Sequence, residues 1–257
     1  MITIKSAREV EVMAAAGRIL TDTLVLIESH TRPGVTTEDL DRLAEDFILG
    51  HPGARPSFKG LYDFPKSLCT SINDEIVHGI PSTSRELQDG DIVSVDCGVC
   101  LEGLHADSAR TIPVGEISAA VERLLSVTRE ALDAGITAAV IGNHTGDIGH
   151  AVQQIAEAAG YTVVRELVGH GIGTRFHEEP QIPNFGTPGR GHRLAEGMTL
   201  AIEPMVNAGK RDIRTLKDKW TVVTADGSLS AHFEHTVHVH PDGPRILTAV
   251  PATTAAE

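Results

Sequence analysis

Cysteine, basic charge and long apolar runs are all in short supply in this chain, and each shortage closes off a class of function. Three cysteines, Cys69, Cys97 and Cys100, in 257 residues are too few to staple a fold of this length, so a disulfide scaffold is excluded and a reducing compartment, the cytoplasm, is expected. Cys97 and Cys100 have CxxC spacing, but no second pair completes a zinc site and no βαβ context frames a redox motif, so both read as packing residues. No apolar run approaches a membrane span, and the opening MITIKSAREVEVMAAAGRIL carries charges through its apolar positions, unlike a signal peptide. With 22 Lys and Arg against 35 Asp and Glu, the net charge is −13. That argues against a broad nucleic-acid-binding face while permitting a local basic patch. The glycine-rich GHGIG from Gly169 is followed by no strand–loop–helix phosphate site, so nucleotide binding is not expected.

What is present suits a globular protein of one large domain or two small ones, with an ordinary 41% hydrophobic content. Ser6 and Glu9 fit a capping box, and Val10, Met13, Ala14, Gly17, Leu20, Leu24 and Ile27 recur at helical spacing until Pro33-Gly34 stops them. A second helix starts at Thr36 or Thr37, carries Leu40, Leu43, Ala44 and Phe47, and ends near Gly50 and Pro52. Strands are expected around 92–99 and 105–114, helices over roughly 118–135 and 146–159, and mostly strand and turn thereafter. The tail VPATTAAE reads as a frayed end.

The chain also repeats itself. GVTTEDLDRLA from Gly34 resembles GNHTGDIGHAV from Gly142, and HGI at His78 recurs at His170. DGDIVSVDCGV from Asp89 lies over EGMTLAIEPMV from Glu196, superposing Asp96 on Glu203, and HADSA from His105 lies over HFEHT from His232, superposing Asp107 on Glu234. The order is kept while loop lengths change, which predicts two similar halves, about 1–115 and 116–250, sharing one core. Strand alternation puts Ile92, Ser94 and Asp96 on one face, and Thr199, Ala201 and Glu203 on one face of the second copy. If the halves pack about a pseudo-two-fold axis, Asp96, Asp107, Glu203 and Glu234 meet in the middle, with His170 approaching from the second HGI.

Four acidic groups in one cleft repel each other and take up protons unless cations hold them, and two divalent ions balance four carboxylates. Oxygen ligands with one imidazole suit manganese, iron(II) or cobalt better than structural zinc. A pair of such ions makes hydroxide from water near neutral pH and polarises the bond being cut, the chemistry of a hydrolase. His235, His238 and His240 are expected to line solvent or stack along a strand.

SINDEIVHGIP, DGDIVSVDCGV, HADSARTIPVG, GHGIGTRFHEEP, MTLAIEPMV and SLSAHFEHTV resemble, in order and over roughly residues 3–248, the signature segments of type I methionine aminopeptidases. The resemblance implies the pita-bread fold, an α+β architecture of two pseudo-two-fold-related halves with a curved antiparallel sheet and outer helices, here a single catalytic domain over 1–257. It implies removal of the initiator methionine when the second residue is small. By motif, Asp96, Asp107, His170, Glu203 and Glu234 resemble the five dinuclear metal ligands, with Asp107 and Glu234 bridging and Glu203 also the general base for water that attacks the scissile carbonyl. His78 resembles the histidine near the substrate amine and scissile amide, and His177 the one that contacts the peptide carbonyl and its oxyanion. Phe64, Cys69, Phe176 and Trp220 fall in the methionine-pocket segments, with Phe58 and Leu61 as further candidates. Relatives often have tyrosine at Leu61 and Phe64, so a less polar pocket is implied, and thioether–ring contacts suit such walls. Asn73, Glu75 (through its backbone) and Ser230 match positions that hold one Na or K ion in relatives. Without a zinc-finger extension or a long helical insertion, the chain resembles the short bacterial type. The implied partners are nascent polypeptide N-termini with transient ribosome contact, no membrane and no sequence-specific nucleic acid, and the expected state is a monomer.

Three rival readings are weaker. A pita-bread peptidase cleaving before proline usually carries an additional N-terminal domain. An iron oxygenase built on His105-Ala106-Asp107 leaves Asp96, Glu203 and Glu234 unexplained. A non-catalytic binding relative would be expected to have lost ligands.

Overall fold

The computed structural model describes residues 2–250; the tail expected to fray lies, from residue 251 on, outside the described residues. Helix α1, Ala7–His30, starts at the expected capping box, where Ser6 and Glu9 satisfy each other's backbone N–H groups. Helix α2, Thr37–Leu49, is capped by Thr36, with Asp39 returning the bond. Helices α3, Ala119–Ala138, and α4, Thr145–Ala158, depart by only a few residues from the expected bounds, the ordinary uncertainty of helix ends.

Two long strands, Ile92–Leu101 and Leu104–Pro113, form an antiparallel hairpin in which Asp96 faces Ala109 and Gly98 faces Asp107. Leu68–Ile72 pairs with the first strand, setting Cys69 opposite Asp96, and Ala54–Pro56 pairs with its far end. A five-stranded antiparallel sheet runs in the order Arg245–Ile246, His235–His238, Thr199–Ile202, Gly169–Gly171, Glu178–Ile182. Ser230–His232 pairs with Met205–Asn207 in a separate sheet.

Alternation decides what each strand presents. Val93, Val95, Cys97 and Val99 pack with Leu20, Leu24 and Ile27 of α1 and Leu40, Ala44 and Ile48 of α2, so Asp96 points to the opposite face. Leu200, Ile202 and Val237 pack against Leu132 and Ile136 of α3 and Ile148 and Val152 of α4. Each helix pair thus covers the outer face of its own sheet. Cys97 and Cys100 are buried and free, as packing residues should be.

A seam of hydroxyls joins the hairpin to the second sheet. The Asp107 N–H donates to Thr236 Oγ1 at 2.9 Å, and that hydroxyl donates back to the Asp107 carbonyl at 2.8 Å. Ser108 Oγ donates to the Glu234 carbonyl at 2.6 Å, and the Glu234 N–H to the Ala109 carbonyl at 3.0 Å. These bonds are buried, and an orphaned partner has no water to turn to. Thr236→Val keeps the side-chain shape but leaves the Asp107 N–H unpaired. Urea denaturation should register a loss of ~1–3 kcal/mol; an unchanged midpoint would mean the seam carries no stability.

Candidate metal centre and adjoining cleft

The hairpin register puts Asp96 and Asp107 on one face as diagonal neighbours, since Asp96 faces Ala109 two residues from Asp107. His170 lies opposite Ala201 beside a bulge. Glu203 directly follows Ile202, whose partner His235 directly follows Glu234. Two strands of the first half and three segments of the second therefore deliver all five expected residues to one place. Ligand atoms of Asp107, His170 and Glu234 all lie within 4.8 Å of one another. His170 Nε2 is 3.8 Å from Asp107 Oδ2 and 3.8 Å from Glu203 Oε1.

The chemistry of these donors asks for cations. Asp96 Oδ1, Asp107 Oδ1 and Glu234 Oε1 are buried without hydrogen-bond partners, an arrangement that is costly unless something positive sits among them. His170 Nδ1 lies 2.8 Å from the Gly171 carbonyl. Because a carbonyl only accepts, Nδ1 carries the proton and Nε2 turns a lone pair toward the carboxylates, the orientation of a metal-binding imidazole. Without a cation, burial pushes Asp96 up to about 7. Burial also pushes Asp107, Glu203 and Glu234 well above the carboxylate range, with repulsion among the four adding to it. Burial pushes His170 down to about 3, so it is neutral and able to ligate. The residues fit one or more divalent ions.

Beside the carboxylates a cleft is lined by Phe58, Leu61, Phe64, Cys69, Phe176, His78 and His177. Its rings meet edge to face: Phe58 and Phe176 at 5.2 Å, Phe64 and Trp220 at 5.0 Å. Trp220, expected in the pocket wall, packs edge to face on Phe64 and lies 6.4 Å from the His78 ring. Gly98 makes room for this wall, because a Cβ there would come within 2.8 Å of Ser57 and 2.9 Å of Phe176. His78 has a left-handed backbone, φ 61°, sparsely populated for a side chain of this type and concentrated at functional sites. Burial, with His177 adding to it, pushes His78 down to about 4, and burial lowers His177.

Of Asn73, Glu75 and Ser230, the first and last meet through their backbones. The Ser230 N–H donates to the Asn73 carbonyl at 2.9 Å. The side chains are engaged elsewhere: Asn73 with Asp91 at 2.7 Å, Glu75 with the Ile72 N–H at 2.8 Å, Ser230 with Asn207 at 2.9 Å. His235, His238 and His240 do not line the cleft; His238, 8% exposed, meets His240 edge to face at 5.5 Å, an association along the strand in place of solvent lining.

Several residues were not legible in the sequence. Tyr62 stacks on His177 with ring planes 13° apart, so the rim carries a phenol although Leu61 and Phe64 lack one. Lys5 and Glu178 form a buried ion pair at 2.6 Å that ties the N-terminal segment to the residue after His177, and nothing in the spacing links them. His105 and His232 did leave a signal: the repeat superposes them, each two residues before a cluster carboxylate.

The profile of metallopeptidase family M24 matches residues 11–241. A methionine aminopeptidase of Clostridium perfringens is 56% identical over 250 residues, covering 97% of this chain and 100% of that protein. Methionine aminopeptidase 1 of Bacillus subtilis is 52% identical over 250 residues, again covering 97% and 100%. The crystal structure of methionine aminopeptidase from Rickettsia prowazekii is similar with a TM-score of 0.95 at 45% identity, covering 97% of this chain and 100% of that one.

Protonation and cation binding compete for the same oxygens. The carboxylates have folded values above their unfolded ones, so their contribution to cation-free stability is complete below about pH 4 and is lost as pH rises, through about 7 for Asp96. His78 and His170, held low, act in the opposite sense and lose their contribution as pH falls below the ordinary histidine range. The cation-induced shift in melting temperature is therefore the cleaner measure. Manganese should raise Tm more at about pH 8 than at about pH 5.5, and Asp107→Asn should raise the cation-free Tm at the higher pH while shrinking the manganese response. Equal shifts at both pH values would contradict the site.

Proposed function

Because the chain belongs to metallopeptidase family M24, we propose that this cleft removes the N-terminal methionine from polypeptides in a metal-dependent hydrolysis, on the pita-bread fold. The observation that carries the reading is the convergence of four carboxylates and a neutral imidazole beside a pocket walled by rings and a thiol. An unbranched thioether side chain suits such walls.

Asp96, Asp107, His170, Glu203 and Glu234 would hold two divalent ions, with manganese, cobalt and iron(II) the fitting choices. When bound, such ions supply a water that ionises near neutral pH and polarise a carbonyl oxygen. Glu203, at the edge of the cluster with 14% of its side chain exposed, takes the proton of the attacking water and returns it to the leaving amine. His177, neutral near pH 7, donates an N–H to the carbonyl oxygen as it gains charge. His78 stands across the pocket to receive the substrate amine and the scissile amide. Tyr62, stacked on His177 at the mouth, narrows the space beyond the scissile bond and favours a small second residue.

The backbones of Asn73, Glu75 and Ser230 are the candidate holders of one Na or K ion. The finer reading is a single cytoplasmic catalytic domain with halves about 1–115 and 116–250, acting as a monomer on nascent N-termini in transient contact with the ribosome. No helix among the described residues is long and apolar enough to cross a membrane.

Manganese-loaded protein should release methionine from Met-Ala-Ser far faster than from Met-Leu-Ser and should leave Ala-Pro-Ala intact. Cleavage of the proline peptide alone would assign a different peptidase activity. Glu203→Ala should lower kcat by ~10²–10⁴-fold with the fold preserved by circular dichroism.

A further inference from the structure

His232 is a buried polar side chain whose chemistry the reaction above does not use. Its side chain is 1% exposed, and neither Nδ1 nor Nε2 has a hydrogen-bond partner. An imidazole carries an N–H and a lone pair, and burying both unpaired is costly. The internal repeat provides a comparison, since His105 occupies the equivalent place before Asp107 that His232 occupies before Glu234. His105 is satisfied: its Nδ1 lies 2.8 Å from Ser57 Oγ, and its ring meets Phe176 edge-on at 5.6 Å. His232 faces a carboxylate instead, with Nε2 3.7 Å from Glu203 Oε2.

The backbone that carries His232 is held firmly. Its N–H donates to Thr111 Oγ1 at 2.8 Å, and the same hydroxyl donates to its carbonyl at 2.9 Å. Ser94 Oγ approaches that hydroxyl at 2.9 Å. The Cα partner of His232 is Met205, two residues past Glu203, so register fixes the ring beside that carboxylate. Glu203 consequently stands between two imidazoles, with Oε1 3.8 Å from His170 Nε2 and Oε2 on the His232 side. Glu203 lines the cleft and His232 does not; His232 reaches the centre through Glu203 Oε2.

We propose that His232 is a positioning residue whose Nε2–H donates to Glu203 Oε2, turning Oε1 toward the cluster and the attacking water. The proposal rests on Glu203 as the proton acceptor. The gap of 3.7 Å is longer than a formed bond by under an ångström, which a small rotation of the Glu203 carboxylate closes. One oxygen is thereby held by a fixed donor and the other left free, so the carboxylate has a single productive orientation.

Kinetics and spectroscopy test this separately. On Met-Ala-Ser, manganese-loaded His232→Leu should lose ~10–100-fold in kcat with little change in KM, the usual cost of deleting such a supporting partner. His232→Gln, which keeps a donor amide, should recover most of that loss. A kcat close to the parent's in His232→Leu, or a loss carried by KM, overturns the proposal. In the cation-free parent, ¹⁵N-histidine NMR should show the His232 proton on Nε2, the signal being identified by its disappearance in His232→Gln and moving in Glu203→Gln. A proton on Nδ1, or a signal indifferent to Glu203→Gln, refutes it. The NMR result decides the matter even if His232→Leu does not fold. It also stands apart from the peptidase reading, which fails only if the parent releases no methionine.

Discussion

Mutual repulsion among Asp96, Asp107, Glu203 and Glu234 is the constraint around which this structure is arranged. Left alone, like charges in a dry cleft drive strands apart or take up protons. Here the strands are held by forces that owe nothing to the carboxylates: α1 and α2 pack behind one pair and α3 and α4 behind the other. The hydroxyls of Thr236, Ser108 and Thr111 stitch the hairpin to the second half of the chain across the middle. The apolar burial on the outer faces offsets the electrostatic strain on the inner ones, and a cation then turns that strain into binding energy.

The same division explains why the reactive cleft has two characters. Its floor is charged and supplied by strands, whose register leaves the carboxylates little freedom. Its wall is apolar and supplied largely by loops, where Phe58, Phe64 and Phe176 lean on one another edge to face. His177 belongs to the wall and is kept near the floor from below, since Glu178 is anchored to Lys5, and from outside by Tyr62. Neutral imidazoles are consistent with this setting: burial removes the water that a charged ring would need.

Much of the frame was legible because it is written in short-range patterns. The capping boxes at Ser6 and Thr36, the helical recurrence through Ile27 and the strand alternation around Asp96 depend on residues a few positions apart. The five cluster residues were legible for a different reason: the internal repeat and the six family segments locate them without any knowledge of distance. Trp220, assigned to the pocket wall by its motif, is found in edge contact with Phe64 and His78, but the contact itself could not be read from the motif, which says which residues recur together and not which of them touch. Lys5 with Glu178 and Tyr62 with His177 gave no sign, since partners so far apart in the chain leave no period.

The helices, the two-fold repeat of strand elements, the identities of the cluster residues and the family could all be read along the chain, because each follows from spacing, capping or ordered motifs in one dimension. Tertiary structure alone decided that the carboxylates share a single cleft, that His170 offers Nε2 rather than Nδ1, and that His232 lies beside Glu203 while its counterpart His105 is bonded to Ser57. Those outcomes turn on ångström-scale register and on which neighbour reaches a buried polar atom first, and both are settled only when distant segments pack.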